Sequence, residues 1–269
     1  MENREAYRFT RADAADYEKY LGSVLFEPYG RYVASQIEPA NLSSVIELAC
    51  GTGRVTEHLE KILPKDVVFW ATDLSNDMLD IARRKLSNTN IKFQIEDITS
   101  LSYPDLSFDL VICQFGFMFL PDKQKGFDEV YRVLKPGGRF ICLTWDRVEH
   151  NPLSNLLINE LIIPYFANEV NNRFYTPFSL YDPRQFSEWA AKAGFKHTVI
   201  KTVALASGAA PAEQIVTGLF LKHSLGNAVM EKGAAVFETI SRKFEAEISE
   251  RFGAPASFPL SALYTTCVK

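Results

Sequence analysis

A glycine-containing turn between a predicted strand and a predicted helix constrains the fold of this chain more than any other feature. The short apolar run Ser44–Ala49 (SVIELA) leads through the turn Cys50–Gly53 into a helical stretch at Val55–Ile62. Glycines let the backbone approach a ligand closely, and the first N–H groups of a helix are free to bind one. The turn therefore predicts a ligand at the carboxyl end of the first strand, the usual crevice of an open α/β sheet.

Apolar runs and amphipathic stretches alternate along the middle of the chain. Near-continuous apolar strands separated by helices are typical of a parallel sheet that is covered on both faces. After the first strand, the pattern predicts strands at Val67–Thr72, Ile91–Ile95, Phe108–Gln114 and Arg139–Trp145, with helices at Met78–Leu86 and Lys123–Leu134, the second stopped by Lys135-Pro136-Gly137-Gly138.

The two flanks of this region are predicted to be more helical. The spacing in Asp13–Ile37 predicts one amphipathic helix, or two helices broken near Pro28. The apolar stripe of the last predicted helix suits a lid over a pocket, a dimer face or plain core. Beyond Trp145 the predicted elements are helices at Asn155–Phe166, Asp182–Ala193, Ala212–His223 and Met230–Phe252, and strands at Lys196–Ala206 and Ser257–Val268.

Composition excludes several classes of protein. With 47% apolar and 23% charged residues, the chain is an ordinary folded globular protein rather than a disordered one. Its net charge of −4 gives no broad attraction to nucleic acid or to an anionic membrane. The sequence has no membrane-length apolar stretch, no secretory apolar region and no CxxC pair. We therefore expect a cytoplasmic protein without membrane insertion, disulfides or a metal site.

Two acidic residues follow the next two predicted strands. Asp73 ends the second strand, about twenty residues after Gly53, where a carboxylate suits two ribose hydroxyls. Asp97 follows the third strand, where it can accept a hydrogen bond from the amine of adenine. Each has a structural alternative, because Asp73 could cap the next helix and Asp97 could lie in a solvated turn. Together with the glycine turn, the two acids predict a nucleoside site.

These segments resemble the class I S-adenosylmethionine-dependent methyltransferases, in the branch related to ubiquinone and menaquinone biosynthesis that is often called type 11. The resemblance covers Ser44–Trp145, through VIELACGTGRVTEHL, ATDLSNDMLDIARRKL, IEDITSLSYPDLSFDLVICQFGFMFLPD and YRVLKPGGRFICLTW. It implies S-adenosyl-L-methionine as cofactor, S-adenosyl-L-homocysteine as product and a small-molecule substrate, with no nucleic-acid partner. A homodimer is compatible with the sequence.

The same resemblance implies a Rossmann-like α/β fold. Its mostly parallel seven-stranded sheet would carry helices on both faces, an N-terminal helical segment and helical lid insertions. We expect residues 1–269 to form one methyltransferase domain. Within it, residues 1–40 would be an N-terminal helical cap, 44–145 the cofactor-binding core, and 146–195 and 207–253 the substrate or lid insertions.

Positions in the family's motifs assign roles to individual residues. One departure from the pattern is Ala49, which stands where the family has its first loop glycine, so its methyl should narrow the approach slightly. Tyr20 and Tyr17, on the N-terminal helix, could close over the cofactor or face the core. The resemblance places Glu47, Ala49 and Gly51 beside the methionine portion, Asp73 at the ribose, Leu74 and Met78 near the adenine, Asp97 and Ile98 at its amine and ring edge, and Gln114 at the methionine end or the substrate.

In methyl transfer from a sulfonium, the main task of the protein is to position the nucleophile, because the cofactor already carries the activated methyl group. A base is needed when the nucleophile must lose a proton, and His150, after the fifth strand, is the candidate. Its alternative is a surface or capping histidine. Arg54 could pair with a carboxylate or lie solvated, and Phe115 could wall the pocket or pack in a loop. Carbon, oxygen and nitrogen remain open as the acceptor atom.

Two other functions use the same motifs. A nicotinamide-dependent dehydrogenase would also use Asp73, but Thr56 stands where its glycine loop wants a third small residue, and Asp97 would have no role. A protein that binds the cofactor without catalysis fits the loop and both acids as well as an enzyme does.

Overall fold

Seven strands form one sheet in the computed structural model, which describes residues 11–166 and 172–269. Their order is β3-β2-β1-β4-β5-β7-β6. Strands β1 to β5 are parallel, whereas β7 lies between β5 and β6 and is antiparallel to both. The predicted, mostly parallel α/β fold is confirmed. The strands are Ser44–Leu48 (β1), Val68–Asp73 (β2), Lys92–Ile95 (β3), Phe108–Gln114 (β4), Leu134–Trp145 (β5), His197–Ala206 (β6) and Pro259–Val268 (β7).

The central strands are buried on both faces. Val45 and Ile46 in β1 are fully buried, and so are Leu110 and Val111 in β4. Successive side chains of a strand point to opposite faces, so burial of consecutive residues means that both faces are covered. For this reason continuous apolar runs, rather than alternating ones, marked these strands in the sequence.

The helices begin and end at the signals that their sequences carry. The hydroxyl of Ser75 accepts a hydrogen bond from the backbone N–H of Met78 and caps the fourth helix. The seventh helix ends at Gly194, which has a φ of 110°. The α-helices are Arg11–Asp16 (α1), Glu27–Ser35 (α2), Arg54–Ile62 (α3), Asn76–Lys85 (α4), Lys123–Val133 (α5), Pro152–Asn155 (α6), Pro183–Ala193 (α7), Ala212–Val216 (α8), Ser224–Met230 (α9) and Ala234–Phe252 (α10).

Strand β5 begins five residues earlier than predicted. The sequence Lys135-Pro136-Gly137-Gly138 was expected to separate a helix from a strand, but β5 runs through it from Leu134. Leu134 pairs with Phe108 of β4, and the register then shifts so that Arg139 pairs with Leu110. Gly137, within this irregular segment, has a φ of 76°, a conformation that glycine adopts without steric cost.

The predicted helix Met230–Phe252 begins four residues later than expected, at Ala234, and is α10. Met230 is instead the last residue of α9, and Gly233, with a φ of 104°, separates the two helices. The apolar stripe of α10 is core, since Ile240, Phe244 and Ile248 are buried against the rest of the chain. A dimer face on this stripe therefore has little apolar surface to offer, and the homodimer stays a prediction.

The N-terminal region remains helical through the predicted break at Pro28. A π-helical stretch, Tyr17–Phe26, joins α1 to α2, and the N–H of Glu27 donates to the carbonyl of Gly22. Pro28 lies in the first turn of α2 and has no N–H to donate, and the carbonyl of Val24, four residues earlier, accepts instead from the N–H of Gly208. The Tyr29 hydroxyl then donates to the carbonyl of Val203 at 2.9 Å and ties α2 to β6.

The helical insertions contain further π-helical segments, at Leu156–Ile162 and Thr217–Leu221. Residues 1–10 of the predicted cap and 167–171 of the first predicted insertion lie outside the described residues. Within the described ranges, none of the helices combines the length and the apolar character needed to cross a membrane.

Candidate active site

A small cavity lies where the sequence predicts a ligand, at the carboxyl ends of β1 and β4. Four of the predicted site residues line it: Glu47, Ala49, Gly51 and Gln114. The other residues around it come from the N-terminal helix, the glycine turn and the start of α3. These are Tyr17, Phe26, Cys50, Thr52, Arg54 and Val55.

The turn after β1 is built from three residues with positive φ. Ala49 has a φ of 52°, Gly51 of 56° and Gly53 of 82°. A Cβ added at Gly51 would meet no atom within 4 Å, so open space lies beside this residue. A Cβ on Gly116 would lie 2.4 Å from that of Ala49, so the methyl of Ala49 packs against Gly116. Gly116, which follows β4, thus leaves room for the methyl group that Ala49 has in place of the family's glycine. The sequence analysis did not predict this contact.

Asp73 fastens the glycine turn to the start of α4. Its Oδ2 accepts from the N–H of Gly51 at 2.8 Å, and its Oδ1 accepts from the N–H of Ser75 at 2.8 Å. Burial raises the pKa of this carboxyl, and the backbone N–H groups partly offset that effect. The capping alternative for Asp73 is wrong, because the cap of α4 is Ser75.

Glu47 is a buried acid on the other side of the turn. The hydroxyl of Thr56 donates to its Oε2 at 2.7 Å. Burial, assisted by the nearby charge of Asp73, raises the pKa of Glu47 to about 8. This carboxyl therefore keeps its proton near neutral pH until a cation approaches it.

The residues predicted around adenine do not line the cavity itself. Leu74 is 63% exposed, whereas Met78 and Ile98 are buried. The Oδ1 of Asp97 accepts from the backbone N–H and the hydroxyl of Thr99, at 2.8 and 2.7 Å. The hydrogen bonds from Thr99 therefore fix the orientation of the Asp97 carboxylate.

Tyr17, rather than Tyr20, reaches the cavity from the N-terminal helix. The ring of Tyr17 stacks on Phe26 with 4.9 Å between centroids. Burial and the nearby carboxylates of Asp73 and Glu18 raise the pKa of its phenol. Tyr20 lies away from the cavity, near the ammonium groups of Lys19 and Lys222.

An aromatic wall continues from Phe26 towards β5. Phe115, which has a φ of 57°, stacks on Trp145 with 4.0 Å between ring centroids. Phe26 contacts both of these rings. Sequence reasoning named Phe115 but missed Phe26 and Trp145. The position of Trp145 as the last residue of a predicted strand was the available signal.

Gln114 bridges the end of β4 and the N-terminal helix. Its Nε2 donates to the carbonyl of Phe26 at 3.2 Å. Its Oε1 is buried and has no hydrogen-bond partner among the described residues. A buried acceptor without a donor is costly, so this oxygen suits a ligand that brings an N–H or O–H group.

His150 lies after β5 and outside the cavity. Its Nδ1 is 2.8 Å from the Oδ2 of Asp146, and its side chain is 57% exposed. Asp146 also accepts from the hydroxyl of Ser261 on β7. The arrangement orients the imidazole, with its other nitrogen left to solvent or to a partner. Among the described residues, no group of three or more His, Cys, Asp or Glu side chains could hold a metal ion.

Known proteins resemble the central part of this chain. Residues 45–138 match the model of a methyltransferase domain family. The chain is 36% identical over 118 residues to the ubiquinone/menaquinone biosynthesis C-methyltransferase UbiE of Hydrogenovibrio crunogenus, covering 42% of this chain and 46% of that protein. It is 41% identical over 101 residues to the demethylmenaquinone methyltransferase of Deinococcus radiodurans, covering 37% and 42%. The chain thus spans less than half the length of these relatives.

Two solved structures share the fold over most of this chain. The YcgJ protein of Bacillus subtilis has a TM-score of 0.60 at 19% identity, covering 90% of this chain and 98% of its own. Phosphoethanolamine N-methyltransferase 2 of Haemonchus contortus has a TM-score of 0.62 at 16% identity, covering 98% and 58%. These likenesses show a shared fold. The match to the methyltransferase domain family is confined to residues 45–138, which include the glycine turn, Asp73, Asp97 and Gln114.

Proposed function

We propose that this protein transfers a methyl group from S-adenosylmethionine to a small-molecule acceptor. The observation that carries the proposal is the glycine turn Cys50–Gly53 at the edge of the cavity, where the carboxylate of the partly buried Asp73 accepts from the N–H of Gly51. This arrangement lies within the segment that matches the methyltransferase domain.

The residues present fit this cofactor. Each carboxylate oxygen of Asp73 accepts one backbone N–H, which leaves lone pairs for the ribose hydroxyls. The open space beside Gly51 allows close approach of the methionine portion. The unpaired Oε1 of Gln114 would accept from an ammonium group. We also propose that the adenine is surrounded by Leu74, Met78, Asp97 and Ile98. Tyr20, which does not line the cavity, is proposed not to contact the cofactor.

Bound S-adenosylmethionine would supply a methyl group already activated on a sulfonium. The chain's own residues then bind, orient and exclude water. Glu47 and Gln114 offer oxygen acceptors to a cationic ligand, and Phe26, which packs against Phe115 and Trp145, gives the cavity an aromatic side. Such positioning is the larger part of what a protein contributes to an in-line displacement.

The acceptor is proposed to be a small molecule, with no nucleic-acid partner. The net charge of −4 argues against a polyanionic substrate. The names of the curated relatives support carbon as the acceptor atom. We propose one domain over residues 1–269, with the cap at 1–40, the core at 44–145 and the insertions at 146–195 and 207–253.

Calorimetry tests the proposal against its main rival. S-adenosylhomocysteine is expected to bind with a stoichiometry of about one, because both acids and the turn suit adenosine attached to an amino acid. NAD is expected not to bind. Binding of NAD without binding of S-adenosylhomocysteine would support a dehydrogenase instead. Turnover in a panel of acceptors, followed by product mass, separates an enzyme from a protein that only binds the cofactor.

His150 is the base that we propose for an acceptor that must lose a proton. Replacing His150 by alanine is expected to lower kcat by roughly 100-fold, the lower end of the usual contribution of general base catalysis. The affinity for S-adenosylhomocysteine should not change, because the side chain lies outside the cavity. An unchanged kcat and pH profile would assign His150 a purely structural role beside Asp146.

A further inference from the structure

Residues 96–107, here called the β3–β4 loop, join β3 to β4 and carry two of the residues proposed to contact adenine. These two are Asp97 and Ile98. A hydrogen bond weakens steeply when its distance or angle is wrong, so a carboxylate recognises an amine only from a defined position. The selectivity of the site for adenine therefore depends on what fixes the β3–β4 loop to the rest of the fold.

Arg132, near the end of α5, donates all of its guanidinium N–H groups to this loop and to Glu129. Its Nη1 donates to the carbonyl of Tyr103 at 2.7 Å and to the Oδ1 of Asp105 at 2.9 Å. Its Nη2 donates to the carbonyl of Leu101 at 2.9 Å and to the Oε2 of Glu129 at 2.8 Å, and its Nε donates to the Oε1 of Glu129 at 2.8 Å. Since a guanidinium has five N–H groups, each of them has an acceptor.

Glu129 binds the same point of the loop from one turn earlier in α5. Its Oε2 accepts from the backbone N–H of Leu101 at 2.7 Å, in addition to the bond from Arg132. The pair Glu129–Arg132, here called the α5 clamp, thus binds both the N–H and the carbonyl of Leu101. The two side chains are only 19% and 29% exposed, and their contact is bidentate, which gives a more defined geometry than an ordinary surface ion pair has.

The turn between Leu101 and Asp97 is closed by its own hydrogen bonds. The N–H of Ser100 donates to the carbonyl of Asp97 at 2.8 Å, and Thr99 donates to its carboxylate. A displacement of Leu101 would therefore carry the Asp97 carboxylate with it, because the bonded turn cannot absorb the movement.

Other contacts keep the β3–β4 loop folded independently of the α5 clamp. The ring of Tyr103 packs edge-on against Trp70 and Phe108, with 5.3 and 5.0 Å between centroids. The Oε2 of Glu96 accepts from the backbone N–H of Ser102 at 3.0 Å. We therefore expect changes in the α5 clamp to shift the loop rather than to unfold it.

We propose that Glu129 and Arg132 are positioning residues of the cofactor site. By fixing Leu101, they hold the carboxylate of Asp97 where it selects an adenine amine over a base that lacks this amine. Neither side chain lines the cavity, so their effect on binding must pass through the β3–β4 loop. The inference rests on the proposed function, because it takes adenosine attached to an amino acid as the ligand.

The test is the ratio of two affinities, measured by calorimetry. One ligand is S-adenosylhomocysteine, and the other is S-inosylhomocysteine, in which a carbonyl oxygen replaces the exocyclic amine. We expect the wild-type protein to prefer the adenine ligand by about ten-fold or more, as the loss of one hydrogen bond to a charged group predicts. A purely structural role of the α5 clamp would lower both affinities by the same factor and leave their ratio unchanged.

Two variants alter the α5 clamp without removing its side chains. Arg132→Lys keeps the charge, but an ammonium cannot reach two carbonyls and Glu129 together, so the preference for adenine is expected to fall roughly five-fold. Glu129→Gln places an amide against the donors of Arg132 or Leu101, and a smaller fall is expected. Thermal unfolding shows which variants keep the fold, and either of them suffices for the test.

Asp105→Asn is the matched control. It removes the same charge as Glu129→Gln, and Asp105 pairs with the same guanidinium, but its side chain is 72% exposed. The ratio of affinities should stay within about two-fold of wild type, as expected for an exposed ion pair. A fall in this control as large as in the clamp variants would assign the effect to charge alone and overturn the inference.

The route through Asp97 is tested by a double-mutant cycle. In an Asp97→Ala background, Arg132→Lys should leave the ratio of affinities unchanged, because the carboxylate that it positions is gone. A further fall there would overturn the inference. So would an unchanged ratio in both clamp variants, or equal affinities of the wild-type protein for the two ligands. Failure of the wild-type protein to bind S-adenosylhomocysteine would instead refute the proposed function.

Discussion

Replacing Asp73 by alanine is expected to weaken the binding of S-adenosylhomocysteine by at least about 100-fold. Each hydrogen bond to a charged group contributes roughly 1.5 to 3 kcal/mol, and a ten-fold change in affinity corresponds to about 1.4 kcal/mol. The substitution removes the acceptors proposed for two ribose hydroxyls. It also leaves the N–H of Gly51 without its partner and so loosens the turn that the cofactor approaches. Isothermal calorimetry measures the affinity, and thermal unfolding checks that the fold persists.

A matched control for Asp73 is available on the next helix. Asp80 on α4 is half exposed and pairs with Arg83 on the surface. Asp80→Ala removes the same charge nearby, so a general electrostatic effect on binding would show in both variants. We expect an unchanged affinity in Asp80→Ala and an intermediate loss in Asp73→Asn, which retains one acceptor. An affinity within three-fold of wild type in Asp73→Ala would remove Asp73 from the cofactor site.

Gly116→Ala is expected to lower the free energy of unfolding by about 2 kcal/mol, as overpacking of a tightly packed interior usually does. The new Cβ would lie 2.4 Å from the Cβ of Ala49 and 3.0 Å from the Sγ of Cys113. The methyl of Ala49 sits on a backbone of positive φ and has no other rotamer to adopt. The clash must therefore displace either the glycine turn or the end of β4. Denaturant unfolding followed by circular dichroism measures the change.

A double-mutant cycle separates this clash from a general sensitivity of position 116. Ala49→Gly removes the opposing methyl and also the left-handed strain, which costs a residue with a Cβ about 1 to 2 kcal/mol. In the double variant, we expect Gly116→Ala to cost less than half of what it costs alone. Full additivity of the two substitutions would show that the close contact with Ala49 does not decide stability.

The core of the fold could be predicted because its strands and caps carry local signals. Apolar runs gave β1, β2 and β4 to within a residue, and the helix predicted at Met78–Leu86 is α4, which begins two residues earlier after its cap Ser75. Elements that depend on a neighbour were harder. The early start of β5 depends on pairing with Phe108, while Pro136 and Gly137 locally indicate a stop.

Much of the candidate site was accessible to sequence reasoning because motif residues stand at strand ends. Glu47, Ala49, Gly51 and Gln114 do line one cavity. The contact between Glu18 and Thr52 of the glycine turn was missed because an isolated glutamate on an amphipathic helix is ordinarily solvated, and the two residues are distant in sequence. Tyr17 and Tyr20 are three residues apart, so helical periodicity places both on a similar face and could not tell which of them lines the cavity.

The position of β7 has a consequence for how the molecule is assembled. Its residues 259–268 pair with β6 along the whole length of both strands and with seven residues of β5. Strand β7, which follows β6 in sequence, is thus the central strand of the antiparallel part β5-β7-β6 and not its edge strand. On the ribosome, β6 cannot join the sheet when it emerges, because the residues that link it to β5 have still to be translated. Folding of this half therefore depends on contacts of large sequence separation, which form slowly.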